Sequence, residues 1–189
     1  MASNTYMKSP TSNWFGDAFS ELDPLLQKLH LQGGKLSGTV KLNYPAGLSG
    51  LIGKRIGSKI GLPKQAGYIE LDVEITHKPN QLIWSRTFNK SHKMISIFEP
   101  HGSYPEGYWS ETTGKLSLEL GVEIKNHGWH WVQRKVKFLE IPLPLFLFPS
   151  SHAYKTINNG KYEFSVVFSL PILGELLSYK GELSANKNA

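Results

Sequence analysis

Alternation of apolar and polar residues predicts that most of this chain forms β-strands. In the segment 69–76, apolar side chains at every second position alternate with acidic or threonine side chains, as in a strand with one buried and one solvent-facing side. The same period of two recurs in 40–44, 116–124 and 162–168. Turn-forming residues separate the strands at Pro79-Asn80, Gly102, Gly114, 126–128 and 158–160. The spacing predicts about nine antiparallel strands.

The apolar faces of these strands need a common interior. Consecutive antiparallel strands either stack as two layers or curl around one core. We expect a mainly β fold built as an antiparallel barrel or a strongly curved sheet. In that arrangement, short N-terminal helices and a glycine-rich helix after the first strand can cover the ends, and the proline-rich run 141–149 forms an apolar lip.

Two short helices are predicted before the first strand. Apolar side chains at 14, 15, 19 and 22 recur at helical spacing behind Ser12 or Asn13, either of which can cap the helix. Asp23 as N-cap and Pro24 at the first helical position suit a second helix that ends at Gly33-Gly34.

The segment between Leu48 and Gly61 predicts a helix whose backbone packs closely against another surface. Its apolar residues form a helical stripe, at positions 48, 51, 52, 56 and 60, and its lysines and arginine point elsewhere. Gly53, Gly57 and Gly61 follow at four-residue steps, although glycine inside a helix costs about 1 kcal/mol relative to alanine. We expect the helix to pack tightly on the sheet. A contact with a membrane surface or a phosphate is the alternative, and the motif of a P-loop is missing.

Length and composition favour one globular domain. The chain has 189 residues and no cysteine, which excludes disulfides, thiolate metal sites and cysteine nucleophiles. We expect a flexible segment over 1–13, a single β-rich domain over 14–184 and a tail over 185–189. The polar start predicts no signal peptide, and no apolar run is long enough for a membrane-spanning helix. We therefore expect a cytoplasmic protein.

Two charged residues are predicted on otherwise apolar strand faces. Alternation places Arg86 on the same face as Trp84 and Phe88, and Glu111 on the same face as Trp109. The simplest explanation is an internal ion pair between Arg86 and Glu111. In the alternative, Arg86 binds the anionic end of an amphipathic or lipid-like molecule whose apolar part lies along the three aromatic rings.

Parity adds a second pair on the segment 129–138, because His130 and Arg134 alternate in step with Val132, Val136 and Phe138. This predicts that Arg134 helps to bind the ligand, although parity fails at any bulge. A glutamate in an apolar wall could also act as an acid or base, with His130 as another proton carrier. Three functions therefore stay open: a binding module, a cofactor-independent enzyme of isomerase, cyclase or lyase type, and a structural or partner-binding domain.

Other kinds of site find little support. His127 and His130 would face opposite ways on a strand, and no metal motif supports them, so we predict neither a metal nor a cofactor. The net charge of +6 raises nucleic acid as a partner. The lysines are scattered rather than arranged in a stripe, and several aromatic residues fall on interior parities, so we expect no nucleic-acid binding. Oligomeric state is left open.

The order of several landmarks resembles a known family. These are Leu29-His30, Gly38, Gly61-Leu62-Pro63, Trp84-x-Arg86-x-Phe88, Ser91, Glu111, Gly114, the prolines of 142–149, Leu173-Gly174 and Tyr179-x-Gly181-x-Leu183. Over 15–183 the chain resembles the bacterial family named domain of unknown function 4166 (DUF4166). The resemblance implies a ligand-handling module, whose matching positions here are His30, Trp84, Arg86, Phe88 and Glu111. One departure is the sequence 152–155, which includes Lys155, where similar chains tend to be acidic.

Overall fold

A computed structural model describes residues 9–113 and 115–185. The helices are α1 (Pro10–Phe15), α2 (Pro24–Gln32) and α3 (Gly47–Ile60), with 3-10 helices at Gly16–Glu21 and Leu145–Leu147. The strands are β1 (Gly34–Asn43), β2 (Gly67–Lys78), β3 (Gln81–Phe88), β4 (His92–His101), β5 (Tyr108–Thr113), β6 (Leu116–Lys125), β7 (Gly128–Phe138), β8 (Ile141–Leu143), β9 (Ser150–Asn158), β10 (Lys161–Leu170) and β11 (Gly174–Ala185).

The strands form a closed antiparallel barrel, which confirms the predicted fold class. Ten strands make the wall, because β6 pairs with β7, β7 with β9, and β11 returns to β1. The eleventh strand, β8, is short and pairs with the far end of β7. Closure leaves the wall without the unpaired edges at which sheets aggregate.

The two ends of the barrel are covered differently. Because neighbouring strands are antiparallel, successive connections alternate between the ends. One end, which we call the closed end, is filled by the aromatic residues of α1, with Trp14 5.6 Å from Trp109 and Phe15 4.8 Å from Trp129 between ring centroids. The other end, the open end, carries α3 and the segment from β8 to β9. Ile56 and Ile60 of α3 and Phe148 before β9 line the interior there.

The predicted start of α2 is confirmed and that of α1 is wrong. Asp23 accepts a hydrogen bond from the backbone N–H of Leu25 at 2.8 Å, and Pro24 begins α2. By contrast, α1 begins at Pro10, because Ser9 caps it by accepting from the N–H of Ser12. Residues 10–13 therefore belong to α1. The rest of the predicted flexible segment, and 186–189 of the predicted tail, lie outside the described residues.

α3 packs on the barrel through its glycines, as their spacing predicts. A Cβ built on Gly53 would lie 1.8 Å from the backbone oxygen of Leu176, and one on Gly57 would lie 2.5 Å from the hydroxyl of Tyr44. The predicted apolar stripe is divided, however. Ile56 and Ile60 face the interior, whereas Leu48 and Leu51 are exposed. The contact with the barrel is made by the glycines rather than by Leu48 and Leu51, because glycine lets the helix backbone approach the strands more closely.

The parity predicted for β7 is wrong. A shift in register between Glu119 and Leu120 of β6 marks an irregularity opposite β7, and parity reverses across such a bulge. The inward side chains of β7 are Trp129, Trp131 and Val136. His130 and Arg134 lie outside the barrel.

Candidate functional site

The barrel encloses a cavity of about 110 Å³ between the closed end and α3. Its wall is mostly apolar but is interrupted by polar side chains. These include Arg86, Glu111, Tyr162, Tyr179 and Lys155. Towards the open end the lining is apolar, with Ile56, Ile60, Leu116, Phe148, Val166 and Phe168.

Arg86 projects from β3 into this cavity, as its parity with Trp84 predicts. Its Nη1 donates a hydrogen bond to the Ser96 hydroxyl at 3.0 Å, and that hydroxyl lies 3.1 Å from the hydroxyl of Thr113. The guanidinium carbon lies 5.3 Å from the centroid of the Trp84 ring. Serine and threonine at these positions on β4 and β5 thus orient the guanidinium without neutralising it.

Glu111 lines the same cavity from β5. Burial raises the pKa of its carboxyl group, and the Arg86 charge and the Ser96 hydroxyl partly oppose that shift. Within the described chain, no ion pair of 4.0 Å or less joins Glu111 to Arg86. The two groups therefore interact across a longer distance than the direct ion pair that the sequence suggests.

Two buried tyrosines line the cavity together with Arg86 and Glu111, and we call these four polar side chains the polar girdle. Tyr162 on β10 and Tyr179 on β11 both line the cavity. Burial raises the pKa of both phenols, and the Arg86 charge opposes it. Neither hydroxyl has a hydrogen-bond partner among the residues that the structure describes. Both can therefore donate to a bound molecule.

Lys155 and His30 form a second polar cluster at the inner end of the cavity. Lys155 Nζ lies 2.9 Å from His30 Nε2, and it lies 3.7 Å and 4.7 Å from the ring centroids of Trp129 and Trp84. Burial and the Arg86 charge lower the pKa of Lys155, and burial followed by the Lys155 charge lowers that of His30. The indole faces partly offset the cost of burying an ammonium group.

The other predicted site residues are distributed unevenly. Trp84 lines the cavity, whereas Phe88 and Trp109 are fully buried in solid core outside it. Arg134 is exposed and donates to the backbone oxygens of Glu106 and Gly107 at 2.9 and 3.2 Å. His130 stacks on Tyr154, with the ring centroids 5.4 Å apart. Neither Arg134 nor His130 lines the cavity.

Sequence reasoning missed Lys155, Ser96, Thr113 and both cavity tyrosines as site residues. Period-two alternation in β9 could have placed Lys155 inward with Ser151 and Ala153. Tyr162 falls on the apolar face predicted for 162–168, and Tyr179 appears only in the motif Tyr179-x-Gly181-x-Leu183; the hydroxyl groups of both were not considered.

The described residues contain no group of three or more His, Asp or Glu side chains arranged to hold a metal ion. In the same residues, no helix combines the length and the apolar character needed to cross a membrane.

Fold and site together define a closed β-barrel with a polar girdle inside an otherwise apolar cavity, an architecture that is compatible with small-molecule binding. The chain belongs to the family described as domain of unknown function (DUF4166), whose model matches residues 22–183. The resemblance seen in the sequence is thereby confirmed. Neither a curated protein nor a solved structure matches the chain.

Proposed function

We propose that this protein binds a small amphipathic molecule inside its barrel, with the anionic end of the molecule held by Arg86. The observation that carries the proposal is a guanidinium on the cavity wall that hydrogen-bonds a neutral serine. No ion pair of 4.0 Å or less involves Arg86 in the described chain. A guanidinium offers five N–H donors, so most of its capacity is available to a carboxylate or phosphate.

The tyrosines favour an anion over a neutral ligand. The hydroxyls of Tyr162 and Tyr179 belong to the same cavity wall as Arg86 and can donate to the same oxygens. Charge-assisted hydrogen bonds of this kind are about twice as strong as neutral ones. We therefore expect a carboxylate or phosphate at the girdle and the apolar part of the ligand directed towards the open end.

Cavity volume limits the enclosed part of the ligand. The value of about 110 Å³ lies below the roughly 300 to 1,000 Å³ of sites for drug-sized ligands. A dry cavity of about 150 Å³ is enough for benzene. Because the cavity is smaller than one that holds benzene, we propose that only a headgroup with a short chain is enclosed, and that a longer tail leaves between Ile60 and Phe148. The apolar part of the ligand therefore contacts the apolar residues near the open end rather than Phe88 and Trp109.

The experiment is a calorimetric titration with carboxylates of increasing chain length, from acetate to decanoate, and with the matching alcohols. Carboxylates should bind and alcohols should not. Arg86→Met should weaken carboxylate binding at least about 30-fold, because a buried charge loses its partner. Arg134→Met is the matched control, since Arg134 lies outside the barrel.

Two results would overturn this function. One is equal binding of acids and alcohols, and the other is unchanged carboxylate binding by Arg86→Met. If no carboxylate or organic phosphate binds, and native mass spectrometry of the purified protein shows no small-molecule adduct, the structural or partner-binding function replaces it.

A second function, a cofactor-independent enzyme, is favoured by one observation. The pKa of Glu111 is raised by burial at the cavity wall, as in carboxyl groups that act as general acids. In this proposal Glu111 exchanges a proton with the bound molecule, and His130 takes no part because it lies outside the barrel.

A further inference from the structure

Exposed apolar side chains concentrate at the open end of the barrel. We define the open rim as α3, the segment 138–146 and the turn between β10 and β11. Its exposed large apolar residues are Leu48, Leu51, Phe138, Leu139, Ile141, Leu145, Phe146 and Ile172. Ile172 is 97% exposed and Phe146 is 71% exposed. Such a group of large apolar side chains marks an interaction surface rather than ordinary surface variation.

Basic residues accompany these apolar residues on α3. The helix and its flanking loops, residues 44–66, contain Lys54, Arg55, Lys59 and Lys64 and no acidic residue. All four are exposed. At helical spacing Leu48, Leu51, Arg55 and Lys59 share the outer side of α3, while the glycines occupy the side against the barrel. The exposed side of α3 is therefore both apolar and positive.

The acidic residues near the open rim are already paired. Glu140 lies 3.8 Å from the ammonium nitrogen of Lys137, and Glu70 lies 3.4 Å from that of Lys90. Glu175 accepts from the side chains of Asn43 and Ser178 at 2.9 and 2.7 Å. Within the described chain, none of these carboxylates lies within 4.0 Å of a basic side chain of α3.

One segment of the closed end has the opposite charge. Residues 16–24 contain Asp17, Glu21 and Asp23 and no basic residue. A negative surface therefore attracts the open rim and repels this acidic segment.

We propose that the open rim docks on the surface of an anionic lipid bilayer. The exposed apolar side chains enter the boundary between headgroups and acyl chains, and the basic residues of α3 lie at the level of the lipid phosphates. A second copy of the chain fits the rim poorly, because two positive rims would face each other. Nucleic acid fits it poorly because the apolar side chains would lie against phosphates. This inference stands on the outer surface and does not depend on the ligand inside the barrel.

The test is co-sedimentation of the full chain with vesicles of phosphatidylcholine alone and with about 30% phosphatidylserine, at low and high salt. Binding is expected only to the anionic vesicles and should weaken with salt. A variant with Lys54, Arg55 and Lys59 changed to Gln should bind at least about 20-fold more weakly, since each basic residue near the membrane contributes measurably. Leu48→Ser combined with Phe146→Ser should also weaken binding.

Matched controls separate docking from general effects of charge and hydropathy. Lys28, Lys78 and Lys125 changed to Gln remove the same charge near the closed end, and Ile95→Ser with Val132→Ser removes exposed apolar residues from the barrel wall. Both control proteins should bind like the wild type. Three results would overturn the proposal: equal binding to neutral and anionic vesicles, equal losses in the controls, or a dimer in sedimentation that the rim changes dissociate. Circular dichroism of each variant verifies its fold.

Discussion

The ammonium nitrogen of Lys155 lies 2.9 Å from the imidazole Nε2 of His30, across 125 positions of sequence. The contact joins α2 at the closed end to β9 in the barrel wall. It brings a buried amine to the inner end of the cavity, where indole rings surround it and no carboxylate neutralises it within 4.0 Å in the described chain. An uncompensated buried amine of this kind makes folding depend on pH.

Lys155 should make stability rise with pH above neutrality. Burial lowers its pKa in the folded protein, so between that pKa and the ordinary value near 10.4 the unfolded chain holds more protons. The free energy of unfolding then increases with pH, by at most about 1.4 kcal/mol per pH unit for one proton. Urea unfolding of the wild type and Lys155→Met from pH 7 to 9.5 measures the effect. The free energy of unfolding of the wild type should increase relative to that of the variant over this range. Parallel curves would contradict the assignment, and the range stops below the tyrosine titrations.

Glu111 should produce the opposite dependence on the acidic side. Its folded pKa is raised by burial, so the stability that it contributes is complete below the unfolded value of about 4.5 and is lost as pH rises through the folded value. Glu111→Gln, which stays neutral, should therefore gain stability relative to the wild type from pH 4 to pH 7. Thermal melts at both pH values test this. Glu99→Gln, at an exposed position of β4, is the control and should show no comparable gain.

The same Glu111→Gln variant distinguishes a binding protein from an enzyme. If Glu111 transfers a proton, the variant should bind ligand within about threefold of the wild type and lose turnover at least about 100-fold. Mass spectrometry of the bound molecule before and after incubation, in deuterated water, reports both conversion and proton exchange. Exchange that proceeds equally in the variant would eliminate this role for Glu111.

Filling the cavity should block binding without unfolding the protein. Ala153 lines the cavity on β9, and Ala153→Leu adds three carbon atoms to a space of about 110 Å³. We expect carboxylate binding to fall at least about tenfold while stability changes by no more than about 1 to 3 kcal/mol, the usual cost of overpacking. Val132→Leu enlarges an exposed residue of the wall and should leave binding unchanged. Retained binding by Ala153→Leu would place the ligand elsewhere.

Gly53→Ala should destabilise the protein although alanine is the better helix former. The added Cβ would meet the backbone oxygen of Leu176, which cannot move aside as a side chain can. We expect a loss of about 2 kcal/mol or more in the free energy of unfolding, against an intrinsic helix gain of about 1 kcal/mol. Ser58→Ala on the exposed side of α3 is the control and should be neutral or slightly stabilising. A neutral Gly53→Ala would mean that α3 is not held at this distance.

Period-two alternation predicted the barrel and the inward direction of Arg86, because β3 is regular over its whole length. It failed for His130 and Arg134 because the shift in register near Leu120 depends on pairing between strands that no single strand reveals. The volume of the cavity could not be predicted from the sequence either. It depends on how Trp131 of β7, Phe164 of β10 and Phe148 of the connection before β9 fill one space. Phe88 and Trp109 face inward without touching that space.

The glycine contacts of α3 determine which of the elements that cover the open end can move. The helix backbone contacts strand backbone at Gly53 and again at Gly61, where a Cβ would lie 2.4 Å from the oxygen of Lys93. These close contacts fix the position of α3 on the barrel. The facing side is held by the three residues of β8. If the proposed binding function holds, a ligand wider than the cavity should therefore enter by displacing the proline-rich segment 141–149 rather than α3.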